Sequence, residues 1–453
     1  MTRSYDARQR SGRNHNKAGK EAANGAANRA LSRVRRTYYL VTGLYWFATA
    51  LPMPILVLLQ RERGMDLFEV GVLTAVYSIT IVLSEVPTGG LADAWGRRKV
   101  SVIALCVIAA AKITFSVAGS FLVFALAFTV FGVGRALISG ALEAWFVDEV
   151  LRLAPEEELQ RSLAYANTVT LFALSSASLL GGYLPSVLSE IAFMGSSFSG
   201  LAAPPAAAAV LMLVTAGLTA WLVVEPPPAH ERGHTGGIVV SAFRETTHNP
   251  SLLLLAGLSL VAGAAISTME TFWQPFFSDA LGAGTPTFLF GVITAGNFLF
   301  AMVGNMASTP LTRLLGGRPA RLAAILQGFR GLFMFALALQ TATMPAIGAF
   351  WLSYMVMGAG DSPHQTLINR NVRAEHRSAM LSVQSLATSL GAFAGAGAFG
   401  YIARSAGLRT VWIVTAVYLV LSLIMYLRVD ARENRSNRVQ HVAAQTNLSS
   451  ASG

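Results

Sequence analysis

Charge is what this sequence has least of. Of 453 residues only 13% are charged, while 53% are hydrophobic; a soluble domain carries about 25% charge. Mean hydropathy is +0.52. A globule of this size has too little charge here to face water, and the same composition excludes a disordered, collagen-like or coiled-coil chain. Cysteine is almost missing: Cys106 stands alone inside an apolar run, so no intrachain disulfide can form. There is no H-E-x-x-H pair, no paired CxxC and no Walker glycine loop. The common metal-dependent and ATP-driven chemistries lose their ligands with them. Neither a metal nor a cofactor is expected, and the chain does not read as an enzyme. A channel would need a ring of short repeats with a filter sequence, and none is visible. The first 36 residues are polar and basic, without the apolar core of a cleavable signal peptide.

What is present is a series of apolar segments, each of about 20 residues and so long enough to cross about 30 Å of hydrocarbon. They fall at 38–60, 67–89, 100–119, 121–147, 162–184, 206–225, 251–277, 287–308, 320–340, 344–366, 379–402 and 407–428. The expected fold is all-α: a polytopic membrane protein with twelve spans. An even count puts both termini on one side. Of 34 Lys and Arg, 27 fall on that side, four (Arg61, Arg63, Arg404, Arg409) on the other, and Lys112, Arg135 and Arg330 within spans. The bias predicts a cell membrane protein with both termini cytoplasmic. Most of the net charge of +11 therefore reports topology, and no nucleic-acid partner is expected.

Residues 1–37 and 429–453 read as disordered basic tails, the former suited to anionic lipid. Residues 226–250 (PPPAHERGHTGGIVVSAFRETTHNP) read as a central linker. It separates bundles at 38–225 and 251–428. The halves repeat at an offset near 220: Gly96 with Gly316, Arg98 with Arg318, Ala173 with Gly391, Pro54 with Pro275. Three kinds of match at one offset point to a six-plus-six duplication.

After the second span the chain reads Gly90-Leu91-Ala92-Asp93-Ala94-Trp95-Gly96-Arg97-Arg98-Lys99. This resembles the loop signature of the major facilitator superfamily, G-x-L-a-D-r-x-G-r-[rk], with Ala94 where a basic residue is usual. The resemblance covers about residues 38–428 and implies two pseudo-symmetric six-helix bundles. It also implies a gating loop in which Asp93 meets the start of span 11 and Arg97 pairs with Asp148, contacts that latch the halves when the outside is open and break when the inside opens. The plain alternative is that Arg97, Arg98 and Lys99 only fix topology. Gly132-Val133-Gly134-Arg135, Ser139-Gly140, Glu143-Ala144-Trp145 and Asp148 resemble members grouped with drug and metabolite exporters. No Gln follows Arg135 as that pattern usually has. In span 5, Ala173, Ala177, Ser178, Gly181 and Gly182 keep the small residues and the terminal Gly pair of the antiporter pattern but not its Pro or its two other Gly.

The charges inside spans are the candidate machinery, because each costs about 2.5–3.5 kcal/mol at a helix centre. They are Glu85, Lys112, Arg135, Glu143, Glu270, Arg330 and Asp361. Taking span 4 as one helix, Arg135 and Ser139 share a face, with Glu143 about 80° further round and Asp148 on another surface. Glu85 is either a proton carrier or a structural partner of a neighbouring helix. Glu270 and Gln274 share a face beside Trp273, either lining a cavity or lying at the outer interface. Span 10 is the most polar, with Asp361, Gln365 and Asn369 on one face. His364 there is either a titrating group or local structure. Asn167, Asn297, Tyr354 and Gln384 complete the lining candidates. The pattern reads as a secondary transporter, a monomer moving a small molecule with protons, as an exporter by the span-4 resemblance and otherwise for uptake.

Overall fold

In the computed structural model, residues 2–89, 91–154, 156–188, 190–193, 196–225, 243–282, 284–373 and 377–451 are described. They form twelve membrane spans. Ten helices are long and apolar enough to cross a bilayer by length and composition. The other two are the first, which is broken, and the tenth, Thr343–Asn371, whose polar residues lower its hydropathy. Besides the tenth, the unbroken spans are Leu67–Gly89 (span 2), Arg97–Val117 (3), Glu156–Val187 (5), Ala203–Leu222 (6), Pro250–Leu281 (7), Phe288–Leu314 (8), Pro319–Leu339 (9), Arg377–Ala406 (11) and Leu408–Ala451 (12).

Two spans differ from the sequence expectation by a break. Span 1 runs Thr2–Ala50, loosens at 51–55 and resumes at Leu56–Glu62. Pro52 and Pro54 have no N–H to give, so the helix tightens into short turns such as Met53 N–H to Ala50 O (3.0 Å) and Ile55 N–H to Pro52 O (3.1 Å). Span 4 is Phe121–Ile138 and then Ala141–Leu153. Between them Gly140 takes φ +79°, a left-handed conformation that disfavours any side chain although the surrounding space is open. Facing angles counted along a continuous span 4 therefore do not carry from Arg135 to Glu143.

The stretches expected as unstructured tails continue the first and last spans as helix, to Thr2 and to Ala451. Their Ala, Arg and Gln content supports helix, and no Pro interrupts either one. Most of the expected linker, 226–242, lies outside the described residues; 243–248 is helical. One element departs from all-α. Between spans 5 and 6, Glu190–Phe193 pairs antiparallel with Ser196–Ser199, Ile191 opposite Phe198. A four-residue run is too short to show a period, so the sequence gives no signal for it.

The spans make two six-helix bundles whose faces meet along span 2 with span 11 and span 5 with span 8. Small residues set the separation. A Cβ on Gly182 would lie 2.7 Å from Gly291 Cα, and one on Gly71 would lie 2.5 Å from Ala396 O. Both contacts sit at the side away from the termini, here called the far side. Arg404–Asp66 (3.2 Å), Thr271–Thr74 (3.2 Å) and Thr287 Oγ1 to Gly182 O (2.7 Å) also cross between bundles there. Toward the terminus side, the described cross-bundle hydrogen bond is Ser385 Oγ to Glu85 (3.3 Å). The far side is the closed side.

Candidate functional site

The loop after span 2 is tied to its own bundle. Arg97 Nη1 meets Asp148 at 2.5 Å, joining the start of span 3 to the end of span 4. The Glu225 carboxylate accepts the Arg97 N–H (2.8 Å) and the Arg98 N–H (3.1 Å), capping the open amino end of span 3. Arg98 also donates its guanidinium to Ala220 O. Gly96 allows this: its φ is +94°, and a Cβ would come within 2.9 Å of Glu225 Oε2. The Arg97–Asp148 pair thus lies within one bundle and holds while the far side is closed, so it is not itself a bond between halves. Gly90 lies outside the described residues, as does the side chain of Asp93. Glu225 was not singled out in the sequence because it abuts a Pro-rich stretch that reads as punctuation.

The cleft between bundles holds Arg135 and Glu270. Arg135 Nη1 donates to Tyr45 Oη at 2.6 Å, Tyr77 is a second hydroxyl partner, and the Trp46 ring lies 5.5 Å from the guanidinium. Lys112, buried behind them, sits 4.3 Å from the Phe131 ring centroid. Glu270 faces Tyr77 of span 2 and Tyr354 of span 10 and is exposed to the cleft, with no hydrogen bond to a described residue. Glu143 is exposed near the terminus side, and Glu85 holds Ser385.

Two expected ligand groups are elsewhere. Trp273 is 4% exposed and packs among Phe277, Phe290 and Phe350, within the core of the second bundle. Gln274, 2% exposed, reaches into the break of span 1. Its Oε1 accepts the Val57 N–H (3.0 Å) and Leu58 N–H (3.3 Å), and its Nε2 donates to Met53 O (2.7 Å). The helix restarts at Leu56, so its first N–H groups lack an acceptor within span 1, and one side chain from the other bundle satisfies them. Periodicity placed Gln274 and Glu270 on one face but could not say what that face met.

A second polar site lies inside the carboxy-terminal bundle, in a cavity of about 320 Å³. Asp361 and Gln365 line it, with Arg330 from span 9, Gln384 from span 11 and Tyr426 from span 12. Gln365 Nε2 donates to Gln384 Oε1 (3.1 Å). Both His364 ring nitrogens are taken, by Ser259 Oγ (3.1 Å) and Tyr426 Oη (2.9 Å), which joins spans 7, 10 and 12. Arg330 is 4% exposed; its Nη2 meets only the sulfurs of Met269 and Met357, each at 3.3 Å. Among the described residues no group of His, Cys, Asp and Glu could hold a metal.

The family model of the Major Facilitator Superfamily matches residues 38–369 and 329–450. The chain belongs to this superfamily. It is a multi-pass membrane transporter, not an enzyme. A relative in Bacillus subtilis (strain 168), the uncharacterized MFS-type transporter YxaM, is 22% identical over 423 residues, covering 89% of this chain and 98% of that protein. Among solved structures, a bacterial homolog of the human lysosomal transporter Spinster, inward-facing and unoccupied, superposes with TM-score 0.75 at 17% identity, covering 89% of this chain and 97% of that one. The nucleoside transporter NupG superposes with TM-score 0.69 at 14% identity, covering 88% and 98%. At these identities the superfamily's members share the fold with this chain, and the site must be argued from its own residues.

Proposed function

We propose that this protein is a proton-coupled exporter of small organic molecules working by alternating access. It acts as a monomer in the cell membrane, with both termini in the cytoplasm. On that orientation, carried by the 27 basic residues of the terminus side, the closed far side makes this the inward-facing state. One observation carries the coupling: Glu270 and Asp361 are carboxylates within membrane spans, open to internal cavities and without a hydrogen bond from a described residue. A carboxylate so placed is stabilised by a proton or a cationic group, and the two compete. Arg135, held by two tyrosines, is a fixed charge in the same cleft, and one of those tyrosines, Tyr77, also faces Glu270. Export follows from the pattern around Arg135 and Glu143. Uptake is the second reading, favoured by a span 5 that carries Ala177 and Ser178 where antiporters usually carry Gly and Pro.

The test begins with growth against a panel of toxic compounds, with and without the gene. Transport of any compound tolerated better is then followed in vesicles under an imposed pH gradient. Export should stop when the gradient collapses, and Glu270→Gln with Asp361→Asn should uncouple it. Flux indifferent to the gradient rejects proton coupling, and normal transport by both variants rejects these carriers.

A further inference from the structure

The cavity in the carboxy-terminal bundle holds two opposite charges that do not touch. Arg330 enters from span 9 and Asp361 from span 10, and they make no ion pair. The Arg330 Nε is buried with no hydrogen-bond partner, and its Nη2 meets only two thioether sulfurs. A guanidinium carries five donors, and a thioether is a weak acceptor. Asp361, exposed to the cavity, accepts no hydrogen bond from a described residue. Elsewhere this protein pairs such groups: Arg35 with Glu158, Arg97 with Asp148, Arg404 with Asp66. In a membrane interior a charge is held by a partner or by what fills the cavity. Here the protein supplies the two halves of an ion pair and leaves room between them.

We propose that this cavity binds a small α-amino acid with an apolar side chain, its carboxylate on Arg330 and its ammonium on Asp361. An anion alone would meet Arg330 but face Asp361, and a cation alone would face Arg330. A zwitterion answers both. The walls fit the rest of such a molecule: Leu258, Ile266, Leu326 and Val356 offer apolar surface, and the Gln365–Gln384 amides have hydrogen-bonding capacity to spare. His364 is spoken for by Ser259 and Tyr426, so it shapes the cavity and is not the free base in it. The inference rests on the exporter reading in one respect: substrate ammonium and proton compete for Asp361, as exchange requires.

Binding of the twenty common amino acids to the purified full-length protein is the test, by calorimetry, with the methyl ester and N-acetyl derivative of each one that binds. At least one apolar amino acid should bind at least about tenfold more tightly than both of its blocked forms. Arg330→Gln should cost at least about tenfold in that affinity. Asp361→Asn should abolish the preference for the free amine, so that the N-acetyl form binds as well as the parent. This last result is a change of specificity that a loss of folding does not produce, and it decides the matter if Arg330→Gln fails to fold. The proposal is overturned if no amino acid binds, if the blocked forms bind equally well, or if both variants bind as the parent does. Amino acid binding without proton-linked flux in vesicles would leave this site standing and remove the coupling. Proton-linked flux of a compound with no ammonium or no carboxylate, with no amino acid bound, would do the reverse.

Discussion

Gln274→Leu tests the far-side closure most directly. Gln274 makes three hydrogen bonds to backbone groups of span 1, at 2.7, 3.0 and 3.3 Å, in a site 2% exposed. A leucine fills similar space but strands Met53 O and the Val57 and Leu58 N–H groups. Each buried group so stranded costs about 1–3 kcal/mol. Counting the two shorter bonds in full and the longer one little, the closed state loses about 2–6 kcal/mol. The open state loses almost nothing, because water reaches the same groups once the bundles part. The equilibrium should then shift toward far-side-open by about tenfold or more, since 1.4 kcal/mol is one decade. The assay is labelling by a membrane-impermeant maleimide in a Cys106→Ala background carrying Ser178→Cys. Ser178 is fully buried on span 5, its carbonyl against Gly291 of span 8. Its labelling rate reports how often spans 5 and 8 separate. The expected result is a rise of about tenfold or more on adding Gln274→Leu. An unchanged rate in a protein that melts normally would show that the three bonds do not hold the gate.

Other outcomes follow from the same geometry. Gly182→Ala puts a Cβ 2.7 Å from Gly291 Cα, so it should raise Ser178→Cys labelling as well, and transport should fall with it. Arg97→Gln removes a pair whose Asp148 side chain is 48% exposed, and should lower stability by no more than about 1 kcal/mol. Glu225→Gln weakens a carboxylate that caps two N–H groups, and should cost about 1–2 kcal/mol, so in reversible denaturant unfolding in detergent it should prove the more damaging of the two. Cys106→Ala alters an exposed residue on span 3 and should leave transport unchanged, which also licenses the labelling background.

The spans were legible because hydrocarbon thickness fixes a length and composition fixes a solvent, and both are properties of a segment alone. What was not legible depends on two segments at once. Pro54 was visible as a repeat marker, but a break in span 1 needs a partner for its freed backbone, and that partner is Gln274, 220 residues away. The turn at Gly140 was hidden because a glycine in an apolar run signals either close packing or positive φ. Arg330 and Asp361 were both identified as charges in the membrane, yet only the packing of span 9 on span 10 brings them to one cavity. Trp273 shows the converse. An aromatic beside two polar residues suits a ligand site, but its ring belongs to the core.

These sites are joined by one helix. Span 7 carries Ser259 against His364, Met269 against Arg330, Glu270 in the cleft and Gln274 on span 1. From Met269 to Gln274 is five residues, about 7.5 Å along a helix. Both residues lie in the one helix Pro250–Leu281 on the amino-terminal side of Pro275, little more than one turn apart, so a shift at one is carried to the other. Tilting span 7 enough to free Gln274 must therefore shift Met269 against Arg330 and change the cavity wall. Gate and cavity then respond in opposite senses, and this separates alternating access from a mere loosening of the fold. A second reporter, Ala262→Cys in the Cys106→Ala background, lines the cavity and reads access from the terminus side. When Gln274→Leu is added, its labelling should fall as that of Ser178→Cys rises. If both rates rise together, the bundles have only come apart, and span 7 does not couple the two sites.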